Sequence, residues 1–374
     1  MIERTVFMLL AICGCFSFQP FAFADVYQGY IGRYPVVMHF AFRDPETIQG
    51  RYFYTRIKQD ILLIGHETKG TETSKNDDIT LTSKETGDKF WLKRHGDGYQ
   101  GIFENKAGEP LSVTLTQVQP STVKNPLPLL DFAKSSDYEK LRFADVALIP
   151  GKKETVNGKY FIQWYSDPYT ELTMFRVISG YPADVLTTLN RELEIRHYIA
   201  IHDVLQCVGN DGLSGAKGWT VSSYFFNEKW VSYGLSLHYK CLFDGAPRGD
   251  TLYTNTLGVT LDPKTGEQVP IERIFWVTPE IKQPNSAMQR DDYLKQIYAP
   301  TLVEIFQRLY PQHMKVTNDC DYANPEFWIF GNWYLTNKGL YVGAKPVARY
   351  SHCKYAPWSI IPFDVLKQYY HDID

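Results

Sequence analysis

Between Asp25 and about Gln119 the chain is cut by turn residues into short strand patterns, and that cutting limits what it can build. "PVVMHFAF", "GRYFYTR", "DILLIG", "DITLTS", "KFWLKR", "GYQGIF" and "LSVTLTQV" are rich in β-branched and aromatic residues, and several alternate. The breaks "RDPET", "SKNDD", "ETGD", "HGDG" and "NKAGEP" carry the Gly, Asp, Asn and Pro that turns use. No helical period runs through this region. The expectation for residues 25–119 is a small antiparallel β-domain: a meander, a sandwich or an open barrel.

"QPSTVKNPLPLL", residues 119–130, holds three prolines and no period, so the domain boundary falls there, with a linker over 120–136. After it the pattern changes. "YPADVLTTLNRELEIRHYIAIHDVLQC" puts Val185, Leu189, Leu193, His197, Ala200 and Val204 at three- and four-residue steps, with Pro182 suited to the first turn. A second helix is read in "TLVEIFQRLY", where Leu302, Ile305, Phe306 and Leu309 form one stripe. Around the helices lie strand patterns such as "YFIQWY", "TMFRVI", "WTVSSYFFN", "WVSYGLSLHYKCLF", "TLYTNTLGVTLD", "EFWIFGNWYL" and "GLYVGA". Two main helices among mainly antiparallel strands define an α+β domain over 137–374.

The first 24 residues are set apart from the fold. An apolar run from Thr5 to Phe18 leads to Ala22-Phe23-Ala24, a small-x-small cleavage pattern, so residues 1–24 read as a signal peptide. The run is shorter than the roughly 20 residues a bilayer-spanning helix needs. A lipid anchor at Cys15 is the alternative, weakened by Cys13 standing where a small or branched residue is usual. The expected location is periplasmic or secreted, with no transmembrane segment after signal removal. The formal net charge of -3 is small and mixed, which gives no electrostatic footprint for nucleic acid.

Removing Cys13 and Cys15 with the signal leaves Cys207, Cys241, Cys320 and Cys353, an even number in an oxidising compartment. Two disulfides are expected, in any of three connectivities. The spacings are too long and irregular for a zinc ligand set, and no metal or other cofactor is expected. There is no Gly-x-Ser-x-Gly elbow, phosphate-binding loop or dinucleotide fingerprint. His197 and His202, five residues apart, do not share a helix face, and Glu192 with Arg196 reads as a solvated helix pair. Nothing identifies an enzyme, although a pair of carboxylates brought together by the fold would leave no spacing to read.

The second domain resembles the extracytoplasmic domain of the lysozyme-sensing anti-sigma factors, which is also found beside peptidoglycan deacetylase domains. The matching features lie in order over roughly 160–374: a long helix ending near a cysteine, a strand entering the Gly-Ala loop "CLFDGAPRGD", the turn at Asp262, Thr265 and Gly266 leading to Ile271–Phe275, and "LTNKGL" with Leu335, Thr336, Gly339 and Leu340. Where that family has Gly-Gly-Ala-His, this chain has Asp244-Gly245-Ala246-Pro247. The resemblance implies Cys207–Cys241 and Cys320–Cys353 as the disulfide pairs. It also implies an exported binding protein whose partner is a lysozyme-like or other peptidoglycan-cleaving enzyme, in an inhibitory or immunity role. The contact residues expected in the loop are Asp244, Arg248 and Asp250. The alternatives are a module that binds peptidoglycan or another glycan through surface Tyr and Trp, and an undetected cell-wall hydrolase.

Overall fold

The computed structural model describes residues 25–369 apart from 43–46, 69–77, 132, 133, 135, 210–214, 240, 241, 244, 245, 248–252 and 279–285. The chain divides into two compact units, one of residues Met1–Pro126 with Phe132–Ala144, the other of Leu127–Asp131 with Asp145–Asp374. The architecture is α+β.

The first unit is a closed barrel of eight antiparallel strands: β1 (Asp25–Ile31), β2 (Tyr34–Phe42), β3 (Ile48–Tyr54), β4 (Ile61–Thr68), β5 (Asp78–Thr82), β6 (Lys89–His95), β7 (Gly98–Glu104) and β8 (Pro110–Gln117). Each strand pairs with the next, and β1 closes the ring on β8 in the register Gly29↔Leu115. Neighbouring strands approach closely at points around the ring, and glycine permits the approach. A Cβ at Gly29 would stand 1.9 Å from the Thr114 carbonyl oxygen, and one at Gly101 1.9 Å from that of Trp91.

Eight strands enclose a space that side chains can fill, and here they fill it. Tyr27, Phe40, Tyr52, Phe90, Tyr99 and Phe103 meet Ile31, Met38, Leu81 and Leu92 inside. Tyr27 stacks on Phe40 at 4.9 Å, and Phe90 meets Phe103 edge-on at 5.0 Å. The Tyr52 hydroxyl, also inside, donates to Asp88 at 2.6 Å, so the one polar end of that ring is satisfied. The outward face is mixed: Lys89, Lys93, Thr114 and Thr116 are exposed there, and so are Trp91 and Ile102. Among the described residues no helix is long and apolar enough to cross a membrane.

Helix α1 (Asp137–Phe143) belongs to the barrel's unit. Ser136 caps it by accepting from the Glu139 N–H. Tyr138 packs on Val37 and Phe53 on the outer wall, its ring 4.9 Å from that of Phe53. Residue 137, the expected start of the second domain, instead lies in the stretch up to Ala144 that groups with the barrel.

The second unit begins with the antiparallel sheet β9 (Ile149–Val156), β10 (Tyr160–Ser166) and β11 (Thr173–Ser179), in the order β11-β10-β9. Helix α2 (Ala183–Gln206) runs along the free edge of β11. Asn190 accepts from the Val177 N–H at 2.8 Å and donates to the Val177 carbonyl at 2.7 Å. The apolar stripe read from sequence is the buried one, including Val185, Leu189, Leu193, His197, Ala200 and Val204, and Glu192 pairs with Arg196 at 2.7 Å. Three further strands, β12 (Ala216–Phe226), β13 (Val231–Tyr239) and β16 (Tyr253–Leu261), form a second sheet. Its Phe226, Val231 and Tyr233 share one core with Trp164, Phe175, Leu189 and Leu193.

A second core gathers around α3 (Ala287–Tyr293) and α4 (Ala299–Leu309), joined by a wider turn at Leu294–Tyr298. There the Ala299 N–H reaches back five residues to the Leu294 carbonyl. Pro300 follows, with no N–H to offer a tighter turn. Leu302, Ile305 and Phe306 bury the α4 stripe, and Leu309 packs at its margin. Strands β17 (Asn332–Thr336), β18 (Gly339–Gly343) and β19 (Ile360–Pro362) complete the unit with the short helix α5 (Phe363–Leu366). "EFWIFGNWYL" is not one strand as its alternation suggests. Pro325–Phe327 is a tight helical turn capped by Asn324, and the Trp328 indole donates to the Tyr322 carbonyl, so only its end joins the sheet.

Candidate functional site

The loop expected to make contacts leaves and re-enters one rigid hairpin. β13 and β16 pair without a slip from Val231↔Leu261 to Tyr239↔Tyr253. Thirteen residues, 240–252, separate the two tyrosines that close this neck, and within them β14 (Leu242–Phe243) pairs with β15 (Ala246–Pro247) as a miniature hairpin. Asp244, Arg248, Asp250 and Cys241 lie outside the described residues. Cys207, at the C-terminal cap of α2, is held in a disulfide; its expected partner is Cys241. Cys320 and Cys353 are bonded to each other, closing a separation of 33 residues.

The motifs that carry the resemblance resolve into turn chemistry. The Gly266 N–H donates to the Asp262 carbonyl at 2.8 Å, the Asp262 side chain accepts from the Lys264 N–H, and Gly266 takes a φ of +73°. The tight helical turn Ile271–Arg273 follows. In the β17–β18 hairpin the Thr336 hydroxyl donates to the Gly339 carbonyl at 2.9 Å, and a Cβ at Gly339 would stand 2.1 Å from the Ile361 oxygen. These residues set the chain's path.

A dense group of charges lies between α1 and the barrel wall. Arg51 donates to Asp60 and to Glu139, at 3.0 Å each. Arg142 contacts Asp60 and, at 3.2 Å, Glu139. The Tyr138 hydroxyl donates to Asp60 at 2.7 Å, and Lys58 donates to the Arg142 carbonyl at 2.6 Å, near the end of α1. Asp60, Glu139 and Arg142 are almost wholly withdrawn from solvent. The carboxylates raise the Arg142 guanidinium above its ordinary range in spite of burial. Two carboxylates held between two guanidinium groups have no face left for a sugar or a water, so this pair does not fit the chemistry of a hydrolase. It fastens a helix. Ser136 with Glu139 three residues on was the available sequence signal, a helix start hidden behind a proline-rich stretch.

Arg176 on β11 presents a contrast. Burial lowers it to about 10, against the weaker pull of Glu194, and among the described residues its Nη2 has no hydrogen-bond partner. Its guanidinium donates to the Phe175 carbonyl at 3.0 Å and lies over the Tyr165 ring. Beside it in the core, His197 is fully buried, with Nε2 3.3 Å from the Leu172 carbonyl. Burial first, then the Arg176 charge, lowers His197 from 6.5 to about 4. His197 is therefore neutral at pH 7 and a core residue.

The folded state resists protonating His197 where the unfolded chain accepts it. Its contribution to stability is complete above about pH 6.5, declines as the pH falls toward about 4, and changes no further below that. The loss should reach up to about 3 kcal/mol. Urea denaturation across this window should show that slope in the second unit, and His197→Gln should flatten it.

Against models of known protein families, and against curated proteins, the chain finds no match.

Proposed function

We propose that the chain is an exported, non-enzymatic binding protein that recognises a lysozyme-like or other peptidoglycan-cleaving enzyme and blocks its cleft with the loop between β13 and β16. The supporting observation is the neck: nine consecutive register pairs end at Tyr239↔Tyr253, giving a stiff base to a 13-residue excursion. A rigid base keeps the ordering cost of binding low. The resemblance to the lysozyme-sensing domains supplies the class of partner. Muramidases are commonly basic, so Asp244 and Asp250 are the residues suited to meet them, with Arg248 between. Opposite charge chiefly raises the association rate and makes it fall with salt.

Asp244→Ala with Asp250→Ala should slow association with a muramidase by about tenfold at low salt and weaken inhibition of wall lysis, while leaving the thermal midpoint nearly unchanged. Wild-type protein that fails to inhibit several lysozyme classes at micromolar concentration removes the reading. Full inhibition by the double variant keeps the function and moves the site.

A second reading has its own support. Tyr30 is 55% exposed near the β1–β2 turn, a ring available to stack on a sugar, and close by Arg33 lies over the ring of Tyr34. Under that reading the protein sediments with insoluble peptidoglycan and Tyr30→Ala releases it.

A further inference from the structure

The Cys320–Cys353 bond has a third group beside it. A ring nitrogen of His352 and the two sulfurs all lie within 4.8 Å of one another, with both cysteines buried and the histidine at the surface. His352 is held in place from behind. Its Nε2 lies 2.9 Å from the Asn318 carbonyl oxygen, which can only accept, so Nε2 carries the hydrogen and Nδ1 keeps its lone pair. That carbonyl is itself fixed. Asn318 and Asp319 both take left-handed backbone, with φ of +49° and +62°, in a two-residue turn closed by Thr317 and Cys320 bonding to each other's backbone at 3.3 and 2.9 Å. A histidine whose far N–H is anchored on a backbone carbonyl is oriented as metal-ligating histidines are.

We infer that this cluster has two closed forms: a disulfide when oxidised, and a site for a thiophilic cation, Zn²⁺, when reduced. The site takes Cys320 Sγ, Cys353 Sγ and His352 Nδ1, with a fourth position open to water. Two thiolates and an imidazole suit Zn²⁺, which prefers sulfur and nitrogen in tetrahedral array. The two forms interconvert through reduction and metal binding. A phosphine reductant and one water break the S–S bond to give two thiols and the phosphine oxide; Zn²⁺ then displaces two protons as both thiolates bind it. In the zinc form the sulfurs would stand about 3.8 Å apart, the edge of a tetrahedron with metal–sulfur bonds of about 2.3 Å. Cysteine spacing, which points to no metal, does not register this set, because the fold rather than the sequence brings it together.

The test uses the full chain with Cys207→Ser and Cys241→Ser, reduced by a phosphine and freed of it, and titrated anaerobically with Co²⁺ and then Zn²⁺. One equivalent of Co²⁺ should give a thiolate charge-transfer absorption, which one equivalent of Zn²⁺ abolishes. The oxidised protein should give none. His352→Ala should weaken Zn²⁺ binding by about 100-fold or more. Reduced, folded protein that takes up no Co²⁺, or His352→Ala that binds Zn²⁺ as tightly as the parent, overturns the inference. Where reduction loosens the second unit, one equivalent of Zn²⁺ should restore its near-ultraviolet dichroism and raise its thermal midpoint. Failure to do so also overturns it.

Discussion

Asp60→Ala should destabilise the barrel unit by about 3 to 5 kcal/mol, far more than its place in the connection between β3 and β4 suggests. The wild-type carboxylate answers Arg51, Arg142 and Tyr138 at once. Removing it strands the fully buried Arg142 with Glu139 alone, and a buried charge that loses its partner costs more than the pair ever contributed. The first consequence should be local. Amide exchange in 137–143 should rise before the barrel opens, because α1 is held by this group and by Tyr138 on Val37 and Phe53. Asp60→Asn, which keeps acceptor and shape, should cost less. The control is Asp78→Ala, which removes an exposed pair with Lys93 at 3.5 Å and should move stability by under about 1 kcal/mol. Equal effects of the two alanine variants would show that burial gives the network no special weight.

The second large effect belongs to the other unit. Cys353→Ala should cost about 2 to 5 kcal/mol. The bond constrains a separation of 33 residues in the unfolded chain, worth about 4 kcal/mol in the loop-entropy picture. Cys353 is also fully buried in the core built around α4, beside Trp328 and Phe306, so the loss adds a small cavity. The unfolding transition followed by the tryptophans of the second unit should shift while the barrel's does not. A Cys320→Ala, Cys353→Ala double variant no less stable than the parent would show that the staple constrains nothing the core does not already fix.

Much of this fold could be read residue by residue. The seven strand patterns between Pro35 and Val118 correspond to β2 through β8, because alternation across a barrel wall is the signal that strand reading detects. What stayed hidden was "DVYQGYI", the strand that closes the ring. Its inward Gly29 breaks the apolar alternation, since that glycine serves a close approach to Thr114. Closure itself depends on a register between β1 and β8, which no local pattern encodes. β9 leaves no strand signal for the opposite reason: at an exposed sheet edge, "IPGKKETV" has almost nothing to bury. The two long helices were legible from their stripes, and His197 shows the limit of that method. Periodicity placed it on the buried face but could not tell that Arg176, 21 positions earlier, would come to lie beside it. The cluster at Cys320 eluded the sequence in the same way, since His352 and Asn318 meet only across the fold.

The Asn190 side chain offers β11 one acceptor and one donor, spaced as a peptide group offers them. In effect α2 impersonates a single residue of a fourth strand, and the sheet stops growing there. A three-stranded sheet ended in this way does not need charge or proline on that border to discourage recruitment of another molecule. Replacing Asn190 by Leu would take both partners from the Val177 backbone while leaving Leu189 and Leu193 to hold the helix over that border.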